Sequence, residues 1–360
     1  MSWTLPPVPS LDDAARDAAR ARQDRLTKPP GSLGRLEELS IRLAAITGRP
    51  RPALARKTIV VMAADHGVTA EGVSAYPAEV TRQMVLNFLR GGAAINVLAR
   101  AAGARLVVVN AGLAGPVKAP PGVASVRSDE TRWVDAPVAP GTANLARGPA
   151  MDRLQAERSI ELGLRTVAEE LRRGLDVLAT GEMGIGNSTA AAAVTAVLTS
   201  RPSRDVAGRG TGIDPAGLER KVAAIERAIQ VNRPDPSDPL DVLRKVGGLE
   251  IGAMAGAIIG AAAARVPVVL DGFISGAAAL VAVALAPRAR GFLIAAHRSV
   301  EPGHQAILEL LDIEPLLDFG LRLGEGSGAA LVLPILDAAA RLLDEMATFE
   351  DAGISERAGP

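Results

Sequence analysis

Glu325 stands between two glycines in the run Leu321-Arg-Leu-Gly-Glu-Gly-Ser-Gly-Ala-Ala330. Flanking glycines remove competing side chains, so a carboxylate there can reach into a cleft beside a ligand. A helix beginning after Ser327 favours its ionised form through the helix dipole, while burial pushes the other way. A carboxylate balanced near neutrality is what a general base needs. The plainer reading is a glutamate in a flexible helix entry, with Ser327 merely capping.

A second glycine-rich stretch, residues 175–189, reads as a short apolar strand, a turn and a helix start. Its glycines Gly181, Gly184 and Gly186 are followed by the cap-type triplet Asn187, Ser188 and Thr189. That order presents unpaired backbone N–H groups and a positive dipole end to an anion, and the glycines let backbone approach it closely. The spacing is neither the dinucleotide fingerprint nor the P-loop. A phosphate site and an ordinary strand-to-helix turn both stay open. Glu182, inside the turn, can accept from a ring N–H or a ribose hydroxyl, or cap the next helix. Lys221 follows another glycine-rich turn, Gly208–Asp214, and either supplies charge to a phosphate or sits solvated on its helix. Asp65-His66 lacks a second histidine at metal-ligand spacing, which favours a structural hydrogen-bonded pair over a metal site.

Strands and helices must bring these residues together. Apolar runs at Thr58–Ala63, Arg105–Asn110, Asp176–Thr180, Val266–Leu270 and Gly291–Ala296 alternate with helical patterns. Near-continuous Val/Ile/Leu runs predict strands buried on both faces, and βαβ order predicts a parallel sheet. The fold class expected is α/β, a Rossmann-like parallel sheet flanked by helices, with a small helical subdomain built from both termini. The division is 1–50 plus 328–360 for the small subdomain and 51–327 for the large one. Ligands collect at the carboxyl ends of such strands, where Asp65-His66, Gly181-Glu182, Asp271-Gly272 and His297-Arg298-Ser299 all fall. A charged helix spans Leu11–Leu26, with Ser10 and Asp13 spaced as a capping box. Leu33–Ile46 and Gly328–Met346 are further helices. Segments Gly115–Gly141 and Asn232–Pro239 read as loops, and the tail from Glu350 as irregular.

Composition narrows the partners. The chain has 360 residues, 48% hydrophobic, with Lys+Arg and Asp+Glu both 40. No net field recruits nucleic acid or an anionic membrane, and 2% aromatics leave few platforms for stacking bases. Without cysteine there is no disulfide and no thiolate metal site. Met1–Ser10 carries no secretory pattern, so the cytoplasm is expected. The apolar stretch Ile251–Ala286 is divided by Arg265, Pro267 and Asp271 into pieces too short to span a bilayer. Its stripe Gly252, Gly256, Gly260 is read as a buried helix packed against a sheet or another subunit.

Six motifs in order carry a resemblance. They are Lys28-Pro-Pro-Gly-Ser-Leu-Gly-Arg-Leu-Glu37, Ala64-Asp-His-Gly-Val68, Gly181-Glu-Met-Gly-Ile-Gly-Asn-Ser-Thr189, Lys245-Val-Gly-Gly-Leu-Glu250, Leu270-Asp-Gly-Phe-Ile-Ser275 and Leu323-Gly-Glu-Gly-Ser-Gly-Ala329. From about residue 10 to 347 the chain resembles the nicotinate-nucleotide–dimethylbenzimidazole phosphoribosyltransferase family. The resemblance implies transfer of phosphoribose from nicotinate mononucleotide to 5,6-dimethylbenzimidazole, giving α-ribazole 5′-phosphate, with Glu325 as catalytic base. It implies substrate binding by Gly184, Gly186, Asn187, Ser188, Thr189, Lys221 and Ser299 near the phosphate or carboxylate. Glu182 would lie near base and ribose, and Tyr76 and Met84 would wall the acceptor pocket. It also implies a homodimer, and neither cofactor nor metal ion. A transferase using adenine or a phenolic acceptor, and a nucleotide-binding module without turnover, are the alternatives. A pure binder has no need of the isolated Glu325.

Overall fold

Apolar runs of valine, isoleucine and alanine become the strands of one parallel sheet, seen in a computed structural model that describes residues 4–117 and 131–355. The strands are β1 (Lys57–Ala64), β2 (Ala104–Gly112), β3 (Thr131–Asp135), β4 (Val177–Met183), β5 (Val268–Leu270) and β6 (Leu293–Ala295). Their order is β3-β2-β1-β4-β5-β6, and every pairing is parallel. The order reverses between β1 and β4. A crevice therefore opens beyond their carboxyl ends, where such folds bind ligands.

Both sheet faces are buried, which explains the unbroken apolar runs. In β1, Ile59, Val61 and Ala63 point into one core and Val60, Met62 and Ala64 into the other. The first core takes helices Arg35–Thr47, Glu79–Leu89, Ala94–Ala101 and Ser327–Glu345 through Leu39, Val85, Ile95 and Leu333. The second takes Arg153–Arg172, Asn187–Thr199, Leu249–Ala263 and Phe273–Leu285. The helix Asp13–Arg25 lies against Arg35–Thr47 and the end of Ser327–Glu345, where Ala19, Ala44 and Leu343 form a small cluster. Arg22 ties the two chain ends, donating to the carbonyls of Leu343 (2.6 Å) and Met346 (3.1 Å).

Three sequence expectations need correction. β3 falls inside Gly115–Gly141, read as a loop. It is a half-buried edge strand whose Arg132 pairs with Glu169 at 2.7 Å, so it lacks the apolar run that marks the inner strands. The part of that loop between 118 and 130 lies outside the described residues. The first helix is capped by Asp12, whose Oδ1 accepts from the Ala15 N–H at 2.9 Å, not by Ser10. Residues 349–352 form a helical turn capped by Thr348, so the tail is ordered past Glu350.

The glycine stripe lies, as expected, on a buried helix that packs against the sheet, and the glycines themselves face a second helix. Gly252 and Gly256 face Ser159 and Ile160, and Gly163 faces the Ala253 carbonyl, each so closely that a Cβ would overlap its neighbour. Leu249–Ala263 thus packs through its glycines on Arg153–Arg172 of its own chain. Gly163→Val is expected to destabilise the protein by about 3 kcal/mol, because backbone carbonyls cannot turn aside as side chains do. The check is the urea midpoint. No helix of the described residues is long and apolar enough to cross a membrane.

Candidate active site

The carboxyl ends of β1, β4 and β5 and the segment after β6 deliver His66, Glu182, Asp271 and His297 to one end of the sheet, and all four are buried. Glu325 joins them from the loop before Ser327–Glu345. It is 5% exposed and holds a left-handed backbone (φ 64°) between Gly324 (φ 86°) and Gly326 (φ 91°). A non-glycine residue in that region is strained and persists only when its surroundings fix it. Two contacts do so. The Glu325 carbonyl lies against the Cα of Gly181, where a Cβ would overlap it, and the Gly326 N–H donates to Asp271 Oδ2 at 3.1 Å. The Glu325 carboxylate Oε2 accepts from the Ile95 N–H (3.4 Å) in the first turn of Ala94–Ala101. Burial raises the Glu325 pKa above its usual value; the Ile95 bond opposes this and the Asp271 charge adds to it.

Glu182 sits beside this loop: its Oε1 fills the space where a Cβ on Gly324 would lie. The Asn187 side-chain amide donates to its other oxygen. Burial pushes the Glu182 pKa up to about 8, against that hydrogen bond and aided by the Asp271, Glu250 and Glu325 charges. Near neutral pH it is mostly an uncharged carboxyl, able to donate as well as accept.

Lys221 is fully buried, which overturns the solvated reading. Its Nζ donates to Ser188 Oγ and to the Gly208 carbonyl, both at 2.9 Å, using two of its three N–H groups. Burial lowers its pKa to about 8, while the Glu301 charge partly restores it. Glu301 Oε1 accepts from the Gly210 N–H (2.9 Å), and its own N–H donates to Ser299 Oγ (3.4 Å). The Ser299 N–H donates to Nδ1 of His304 (3.0 Å), which burial keeps neutral with a pKa near 3. Ser188, Lys221, Gly208–Gly210, Glu301 and Ser299 therefore form one connected group.

The remaining expected residues are placed less uniformly. Gly184 and Gly186 make their close approach to Ala64, His66 and Thr69 at the end of β1, so the space beside their Cα atoms belongs to protein. Thr189 is buried, and among the described residues its hydroxyl has no hydrogen-bond partner. Met84 is half-buried against the core that also takes Leu333. Tyr76 stands apart, 55% exposed, on a segment tied to the Gly208–Asp214 turn by the Thr211 hydroxyl, which accepts from the Ala75 N–H at 3.0 Å. His66 does not pair with Asp65: its Nε2 meets Glu250 Oε1 at 2.7 Å, and Asp65 accepts from the Ala114 N–H. A cavity of about 400 Å³ opens beside His66, lined also by Thr69, Glu79 and Arg82. A smaller one of about 40 Å³ lies among Glu182, Asp271, His297, Ser299 and Leu323.

Sequence reasoning placed Asp271 at a strand end without giving it a partner, and singled out neither Glu250 nor Glu301. The first two lie in motifs that carry the resemblance, but Val-Glu-Pro at 300–302 looks like any helix start. No cluster of metal-binding type occurs among the described residues.

Comparison with known proteins places the whole chain and its fold among relatives. A family model described as Phosphoribosyltransferase (DBI_PRT) matches residues 8–354. A nicotinate-nucleotide–dimethylbenzimidazole phosphoribosyltransferase of Chloroflexus aggregans is 58% identical over 99% of this chain and 98% of its own length. The protein of the same name from Roseiflexus sp. is 56% identical over 99% of this chain and 98% of its own. The crystal structure of that transferase from Thermus thermophilus superposes with a TM-score of 0.88 at 49% identity, covering 96% of this chain and 100% of the other.

Proposed function

The chain belongs to this phosphoribosyltransferase family, and we propose that it moves the 5-phosphoribosyl group of nicotinate mononucleotide to 5,6-dimethylbenzimidazole. One benzimidazole nitrogen attacks C1′ of the ribose as the C1′–nitrogen bond to nicotinate breaks. The bonding pair returns to the pyridine nitrogen, which loses its positive charge, so nicotinate departs without being protonated. Glu325 takes the proton from the second benzimidazole nitrogen. Attack opposite the leaving group converts the β-riboside to an α-riboside, and the products are α-ribazole 5′-phosphate and nicotinate.

The observation that carries this reading is the state of Glu325: a buried carboxylate with a raised pKa, held by its backbone at the carboxyl end of the sheet. A fixed base and a fixed mononucleotide lower the barrier chiefly by placement. Ser188 and Lys221 supply a hydroxyl and a buried cation for the phosphate, with Ser299 on the connected segment. Gly184 and Gly186 set the turn that aims Asn187, and Thr189 offers its unpartnered hydroxyl. An uncharged Glu182 meets the ribose without repelling the phosphate. Tyr76 and Met84 are assigned to the acceptor on the resemblance, although Tyr76 is 55% exposed and stands apart from the other residues. A cytoplasmic homodimer belongs to the same proposal; Phe319 and Leu323, 67% and 57% exposed after β6, offer apolar surface to a second copy.

The test is competition. The protein is incubated with nicotinate mononucleotide and an equimolar mixture of benzimidazoles, purines and phenols, and products are identified by mass spectrometry. α-Ribazole 5′-phosphate is expected to dominate. A clear preference for adenine or a phenol overturns the acceptor named here.

A further inference from the structure

Asp271 is 2% exposed, and its carboxylate reaches across to a segment 55 to 58 residues further along the chain. Oδ1 accepts from the N–H groups of Gly328 (2.7 Å) and Ala329 (3.1 Å), and Oδ2 from that of Gly326 (3.1 Å). The helix Ser327–Glu345 has no side-chain cap of its own at Gly326. Donors that every helix leaves unsatisfied at its start are thus satisfied by a carboxylate from the end of β5. His297 closes the other side. It packs on Gly328 so tightly that a Cβ there would overlap the ring, and its Nε2 lies 3.8 Å from Asp271 Oδ1.

The consequence falls on Glu325. The peptide between Glu325 and Gly326 is one rigid plane. Its N–H end is held by Asp271 and its carbonyl end by Gly181. Fixing that plane fixes ψ of Glu325 and φ of Gly326, and with them the direction of the Glu325 side chain. Three successive residues at positive φ would otherwise relax. We infer that Asp271 is the positioning residue for Glu325, holding the strained loop through backbone N–H groups without touching substrate. This rests on the reading of Glu325 as base.

A kinetic cycle tests it with Asp271→Asn, Glu325→Gln and the double variant in the full-length enzyme. The Asn amide presents an N–H to the Gly326 N–H, so the clamp loses its hold on that residue. Asp271→Asn is expected to lower kcat by about 10- to 100-fold while KM for nicotinate mononucleotide stays within about threefold. In the Glu325→Gln background the same change should cost less than about threefold, since the group it positions is already disabled. Asp271→Asn at the parental kcat overturns the inference. So does an undiminished loss in the Glu325→Gln background. If Glu325→Gln itself turns over at the parental rate, the reading of Glu325 falls first and takes the inference with it; the two failures are therefore distinguishable. Amide hydrogen exchange on the unmodified protein needs no variant. The Gly326, Gly328 and Ala329 N–H groups should be protected as strongly as the helix that follows, and exchange at open-loop rates overturns the clamp.

Discussion

Glu325→Gln is expected to bind nicotinate mononucleotide with the parental affinity and to form product about 10²- to 10⁴-fold more slowly. The substitution is close to isosteric. A glutamine oxygen can still accept from the Ile95 N–H, and the left-handed backbone is held by Gly181 and Asp271 whatever the side chain. What is lost is the capacity to take a proton. In the parent, kcat should rise with pH through an acid limb above 4.5, because burial raises the Glu325 pKa beyond that ordinary value. The variant should lack this limb.

Stability supplies an independent check of the same residue. A carboxyl whose folded pKa is raised stabilises fully below its unfolded value, and that contribution is lost as pH rises through the folded value. The parent therefore carries a penalty at pH 8 that it does not carry at pH 4, and glutamine removes it. The variant's Tm should exceed the parent's at pH 8 and match it at pH 4. A variant with parental turnover, or with equal Tm at both values, removes Glu325 from the base role.

How much of this could be read from the sequence depends on the range of the interaction involved. β1, β2 and β4 were legible because burial on both faces imposes unbroken apolar runs. β3 was not, because an edge strand can carry Arg132 and Asp135 and still pair along its length. Glu325 stood out because its glycines are its immediate neighbours. The groups that fix it did not. Gly181 contacts it from another strand, and Asp271 reaches it across more than 50 residues. His66 and Glu250 meet over 184 residues, so the local pair Asp65-His66 was the wrong partner assignment. Lys221 lies in Leu-Glu-Arg-Lys-Val, a pattern that reads as a solvated helix face. Its burial follows from Ser188 and the Gly208 turn closing on its Nζ, contacts the local pattern does not reveal.

That burial makes Lys221 the second large effect. Lys221→Met keeps the length and apolar stem of the side chain and removes its charge. Truncating one partner of a buried charge pair costs about 2–5 kcal/mol, so affinity for nicotinate mononucleotide should fall on the order of 10²-fold. The loss should appear in KM more than in kcat, since the phosphate lies away from the bond that breaks. The ammonium is charged below a pKa of about 8 and neutral above it. In the parent, mononucleotide affinity should therefore weaken as pH rises through about 8, approaching tenfold per pH unit. Glu182 titrates in the same range, also near 8, and in the same electrostatic sense: its ionisation adds a negative charge near the ribose as Lys221 loses a positive one. The variant separates the two. Any decline that survives in Lys221→Met belongs to Glu182, and the part that disappears belongs to Lys221. Isothermal titration of nicotinate mononucleotide at pH 6.5, 8 and 9.5 measures both. Should Lys221→Met keep the full parental decline and the parental affinity at pH 6.5, the phosphate is held elsewhere, and the connected group of Ser188, Gly208 and Glu301 is a packing arrangement rather than a binding site.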